Sequence, residues 1–81
     1  MIGIGKVVKY LGLSFIITEE TAPRTYRGYF IASGVNISNL DRHKFLLNEH
    51  DAKPHKFNNF KEKRKMSKRI AELGINVKVT I

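Results

Sequence analysis

The chain has no cysteine and no tryptophan in its 81 residues, and only two prolines. Without cysteine there can be no disulfide and no thiolate metal site, which suits a reducing cytoplasm. Long hydrophobic runs are also missing. The longest, Leu11 to Ile17, is interrupted by Gly12 and Ser14 and falls far short of the ~20 residues that a membrane-spanning helix needs. Lys6 and Lys9 precede it, as basic residues precede the core of a signal peptide, but Glu19 and Glu20 follow and no small-x-small cleavage site appears, so secretion is not expected. Acidic residues are scarce: seven against fifteen lysines and arginines, a formal net charge of +8. That balance favours an acidic partner.

Signatures of catalysis are scarce as well. Gly5-Lys6 echoes the end of a phosphate loop, but the required first glycine is absent and Val7 stands where Ser or Thr belongs. No GxSxG or HExxH occurs. His43, His50 and His55, with Asp41, Glu49 and Asp51, are the only grouping of metal-ligand or acid–base types. Their spacing fits no metal or catalytic pattern, so exposed loop histidines are the simpler reading. The expectation is a protein that is not an enzyme, with no cofactor and no metal.

What the chain does have is a concentrated charge. Lys53 to Arg69 holds eight basic residues and one acid, Glu62, a net +7 out of the whole chain's +8. Asn59 is placed to cap a helix, with Glu62 in the capping-box position. Gly74 is placed to end it in a Schellman motif, which pairs Ile70 with Ile75. At about 100° per residue, Leu73, Met66, Ile70, Phe60 and Ala71 share an arc of about 160°. Lys61, Arg64, Lys65, Lys68 and Arg69 lie opposite, and Lys63 falls inside the apolar arc, where it must snorkel.

The remainder reads as strands. Lys6–Tyr10 and Leu13–Thr18 are rich in β-branched and aromatic residues, after a flexible start. Gly12 is either a bulge within one strand or part of a turn between two. Leu13, Phe15 and Ile17 fall on one face, with Ser14, Ile16 and Thr18 on the other. Glu19–Arg24, with Pro23, reads as a loop, followed by a strand over Thr25–Ala32 that forms an antiparallel hairpin with the preceding one. Val35–His50 is ambiguous: Ser38 suits a helix cap, whereas Phe45-Leu46-Leu47 suits a strand from about His43 to Asn48, the preferred reading. Asp51–Asn59 reads as a loop anchored by Phe57, and Ile75–Ile81 alternates as a terminal strand facing the helix. The fold class expected is therefore α+β, one small domain over residues 1–81. It has an antiparallel or mixed sheet of about four strands, one basic amphipathic helix packed on one face, and a C-terminal strand.

Two readings of the basic helix compete. Charge runs are commonly just a solvated face. Here, however, Lys61, Lys63 and Arg64 crowd the helix end whose dipole prefers acidic residues, which stability alone does not favour. A binding surface made of Lys61, Arg64, Lys65, Lys68 and Arg69, extended by Lys53 and Lys56, accounts for that placement. The partner expected is nucleic acid, or an acidic or nucleoprotein surface, with no membrane involved. Tyr10, Tyr26 and Tyr29 lie on strands as stacking rings do in single-strand readers, but no RNP-type sequence accompanies them, so core or edge packing is expected.

Phe57 and Phe60, the Lys61–Arg69 run, Ile70-Ala71-Glu72-Leu73-Gly74 and the alternating Ile75–Ile81 together resemble the C-terminal part of small phage and mobile-element accessory proteins of α+β type. The resemblance covers about a third of the chain. It implies a phage-like origin, a cytoplasmic location in a host cell, and either DNA binding or inhibition of a host defence protein in the manner of an anti-CRISPR.

Overall fold

The computed structural model describes residues 2–80. Five antiparallel strands form one sheet: β1 (Val7–Tyr10), β2 (Leu13–Ala22), β3 (Thr25–Phe30), β4 (Lys44–Asn48) and β5 (Lys53–Pro54), in the order β4-β3-β2-β1-β5. One α-helix, α1 (Phe60–Glu72), follows. The α+β class stands, with five strands where four were expected.

Strand order decides the shape. In a flat sheet β4 and β5 lie four strand spacings apart, about 19 Å. Only Glu49–Ala52 separates them in the chain, and Glu49–Asp51 is a 3-10 turn that rises just ~2 Å per residue. The sheet must therefore curl until its two ends approach, giving a small open barrel. Expected as a layer with one buried face, the sheet is buried on both. Val8, Phe15, Ile17, Tyr26, Phe30 and Leu47 come from β1 to β4, and all are buried. Among the described residues none of α1 joins them; Ile2, Tyr10 and Ala52 do, so the strands and their flanking residues enclose this set. Tyr10 stacks on Phe30 at 5.6 Å, and Phe15 meets both rings edge-on at 5.7 and 5.1 Å. Each such pair adds about 1 kcal/mol beyond its buried area. Tyr10 and Tyr26 are thus spent on packing, as expected, and Tyr29 is half-buried with the Lys44 ammonium 5.6 Å from its ring centre.

On the outer face Val7, Ile16, Ile31 and Val35 receive Ile70, Leu73 and Ile75. Ile16, assigned by alternation to the more polar side of its strand, is fully buried there.

The tight links explain the register. Leu11 (φ 54°) and Gly12 (φ 78°) are both left-handed, as a two-residue hairpin turn requires, so Gly12 belongs to a turn and not a bulge. β2 continues through the stretch expected to be a loop. Glu19, Glu20 and Ala22 pair with Arg27, Tyr26 and Thr25, and Pro23-Arg24 alone makes the turn, with Arg24 at φ 62°. Polarity there reflects a solvent-exposed hairpin end rather than loop structure. A side chain at Gly28 would overlap the Ile16 carbonyl oxygen and lie 2.7 Å from Phe15 Cε1. Only glycine lets β2 and β3 approach this closely.

Val35–His50 contains both structures weighed for it. Asn36, not Ser38, caps a 3-10 segment over Ile37–His43, accepting from the Ser38 and Asn39 amides at 3.0 and 3.1 Å. The Asn39 side chain returns the bond to the Asn36 amide at 2.8 Å, so the reciprocal box is built from two asparagines. β4 then begins at Lys44. Within the expected loop Asp51–Asn59, Lys53–Pro54 pairs with Val8–Lys9 as β5, and Phe57 is half-buried against the helix-side cluster.

The helix ends are as the sequence predicts, apart from one shift. Asn59 accepts from the Glu62 amide at 3.0 Å, while the Glu62 carboxylate takes the amide of Asn58, one residue before the expected partner, at 2.8 Å. Gly74 (φ 75°) closes a Schellman motif, with Ile75 N–H on Ile70 O at 3.3 Å and Gly74 N–H on Ala71 O at 3.0 Å. Ile75, Val77 and Val79 join the helix-side cluster, so the face expected of the terminal segment is correct. Its ladder is not: this segment meets the N-terminal turn through a Thr80 N–H bond to Gly5 O at 2.9 Å and forms no strand among the described residues. Ile81 lies outside them. Nor are residues 3–6 loose, since Gly5 N–H bonds Ile17 O at 2.8 Å and Lys6 N–H bonds Gly3 O at 3.1 Å.

Candidate functional site

The orientation of α1 determines which cations are available. Its core-facing residues, buried Ile70 and half-buried Met66, with the buried C-cap Leu73, centre about 50° away from the middle of the arc read from the sequence. Rolled this way, Phe60 is 70% exposed and Ala71 is exposed, although both were expected in the core. Arg69 turns inward. Its Nη2 donates to the Ala32 carbonyl at 3.3 Å and to the Val35 carbonyl, tying the helix to the loop that follows β3. Both bonds use the two N–H groups of one guanidinium nitrogen, which lies one bond farther from the backbone than a lysine ammonium does. Arg69, expected among the contact residues, is thus engaged in structure.

Lys61, Arg64, Lys65 and Lys68 are all exposed and centre nearly opposite the buried direction. The Arg64 guanidinium sits 5.7 Å from the Phe60 ring centre, so that ring flanks the cationic row. Two ion pairs occur among the described residues, Arg27 with Glu19 at 3.2 Å and Arg24 with Glu49 at 4.0 Å. Both are away from the helix, and neither neutralises a cation of this row. Glu62 is the one acidic residue in the first turn, and its carboxylate is held by the Asn58 amide and side chain at 2.8 and 3.3 Å.

Lys53 and Lys56 lie off α1, on strand β5 and just after it. They belong to a second cationic patch on the β1–β5 flank, where Lys53 stands directly across from Lys9 in the ladder. Like charges at such positions destabilise a sheet. Lys6, Lys56 and Lys63 line one pocket there, together with Val7, His55 and Phe57. Lys63 is half-buried, as its place on the apolar arc requires. Lys6 and Lys9 were not picked out from sequence. Their signal exists only once β5 is known to pair with β1, and a two-residue strand has too little pattern to announce itself.

The histidines do not converge. His43 Nδ1 donates to the Asn39 carbonyl at 2.9 Å within its own 3-10 segment, and His50 is exposed. His55 Nε2 is 3.0 Å from Ser14 Oγ, while Nδ1 is buried without a partner among the described residues. Burial first, then the Lys9 charge, push the His55 pKa below its usual value. Among the described residues no three His, Asp or Glu side chains are placed to hold a metal ion, and no helix is long and apolar enough to cross a membrane.

No family model, no curated protein and no solved structure matches this chain.

Proposed function

We propose that the protein is a non-catalytic binding module, of phage or mobile-element type, that contacts nucleic acid or a nucleoprotein in the cytoplasm of a host cell. The observation that carries this reading is the row of Lys61, Arg64, Lys65 and Lys68. All four point outward with no carboxylate paired to any of them among the described residues. Unneutralised cations at helical spacing suit phosphates. Arg64 can grip one through two parallel bonds, and the lysines act as point charges. Four phosphate contacts on duplex DNA give a slope of about −3.6 for log affinity against log salt. Fluorescence anisotropy with duplex and single-stranded oligonucleotides, from about 50 to about 200 mM salt, measures that slope. Absence of salt-dependent binding at the low end, or binding indifferent to Lys65→Glu with Lys68→Glu, refutes the reading.

A second reading, inhibition of a host defence protein such as a CRISPR effector, draws on Phe60. An exposed aromatic ring beside an arginine is the composition of an interface hot spot. Under it, one host protein co-purifies stoichiometrically after nuclease treatment, and Phe60→Ala releases it. Under the first reading Phe60→Ala leaves the salt slope unchanged.

A further inference from the structure

The β1–β5 flank carries a site of its own. Lys6 on the N-terminal side of β1, Lys56 after β5 and Lys63 on the inward side of α1 come from three separate parts of the chain, yet all line one pocket of about 370 Å³. None has a carboxylate partner among the described residues. Lys9 and Lys53, opposed in the ladder, stand beside it and add charge of the same sign. His55 and Phe57 complete the pocket, their rings tilted by 31° with centres 4.4 Å apart. The one carboxylate whose charge reaches His55, that of Glu62, is already bonded to Asn58.

Solubility does not account for this arrangement. Lysines placed only for solubility have no reason to gather from three separate segments at one pocket. Placing Lys9 across from Lys53 works against the ladder. Three lysines lining one cavity do fit a compact dianion, whose charge their ammonium groups can share.

We propose that this pocket binds a phosphoryl group in its dianionic, monoester form, as at the phosphorylated end of a nucleic-acid strand or on a free nucleotide. The proposal deepens the nucleic-acid reading by assigning the pocket to strand ends and the row on α1 to the continuous backbone. A phosphodiester carries one negative charge, whereas a monoester carries nearly two at neutral pH. The pocket is the part of the surface that distinguishes them.

The test compares a short single-stranded oligonucleotide bearing a 5′-phosphate, one bearing a 3′-phosphate and one bearing neither, by anisotropy at constant ionic strength. One phosphorylated form binds about tenfold tighter than the unmodified strand, the effect of one added charge-assisted hydrogen bond. Lys63→Gln or Lys56→Gln erases that preference while leaving affinity for the unmodified strand nearly intact. Lys65→Glu with Lys68→Glu weakens all three strands alike. Equal affinity for all three, or a preference that survives Lys63→Gln, overturns the proposal. Should no oligonucleotide bind, the broader reading fails, and the pocket is judged separately by titrating inorganic phosphate and a nucleoside monophosphate against amide NMR spectra. Saturable shifts at Lys6, His55, Lys56 and Lys63 that are lost in Lys63→Gln support it. Their absence overturns it.

Discussion

Replacing Arg69 with glutamine separates a structural cation from its exposed neighbours. The guanidinium bonds the Ala32 and Val35 carbonyls from the helix. A hydrogen bond to a charged group contributes about 1.5–3 kcal/mol net. Ala32 is half-buried, so water replaces its lost donor, and the buried Val35 carbonyl sets the loss at about 2 kcal/mol, the worth of one such bond. For a domain of this size each kcal/mol moves Tm by about 4–8 °C, so Arg69→Gln should melt roughly 8–16 °C lower when followed by circular dichroism. Arg69→Lys should recover less than half of the loss, because its ammonium sits one bond closer to the backbone than Nη2 and falls short of the two carbonyls. Lys65→Gln, on an exposed and unpaired side chain, should stay within about 0.5 kcal/mol of the parent while weakening oligonucleotide binding. If Arg69→Gln melts with the parent and loses as much affinity as Lys65→Gln, Arg69 is a contact residue and the helix orientation described above is wrong.

Gly28→Ala should prevent folding or lower stability by more than about 3 kcal/mol, because the added carbon overlaps the Ile16 backbone, which cannot yield like a side chain; soluble yield and a urea midpoint test this. His55 supplies a pH dependence. Its folded pKa is lowered by burial and by Lys9, so below the usual value of about 6.5 the unfolded chain takes up the proton first. The stability it contributes is complete above about pH 6.5 and is lost as pH falls toward the folded pKa. Urea midpoints measured from about pH 7.5 down to about pH 5.5 should therefore fall less steeply in His55→Gln than in the parent, and equal slopes would contradict the assignment.

How much of this was legible depended on whether a feature is local. The helix ends were, because Asn59, Glu62, Gly74 and the Ile70–Ile75 pair act within a turn or two of one another. The β2–β3 hairpin and β4 were also readable from their own residues. The curl of the sheet was not, since it rests on β5, two residues long, pairing with a strand near the other end of the chain. Missing the curl meant missing the second core, and so Ile16 was assigned to the wrong kind of surface. The helix roll depends on two backbone carbonyls in the loop after β3, and carbonyls leave no trace in side-chain periodicity. That is why Phe60, Ala71 and Arg69 were misplaced while Lys61, Arg64, Lys65 and Lys68 came out on the exposed face. The β1–β5 patch was half visible: Lys53, Lys56 and Lys63 lie in the basic run, but Lys6 and Lys9 join them only through the ladder.

The closing turn between β4 and β5 also sets an order of events. Hairpins β1–β2 and β2–β3 join neighbours in the chain and form quickly, whereas the β5–β1 contact must close a loop spanning most of the barrel. A chain emerging from the ribosome therefore completes its first three strands before Leu47 exists to cover Phe15, Ile17, Tyr26 and Phe30. For that interval the nascent protein presents an aromatic, β-branched surface with an unpaired edge. That surface is where chaperone binding or misassembly between nascent chains would occur, and the interval ends only when residues 44–54 arrive.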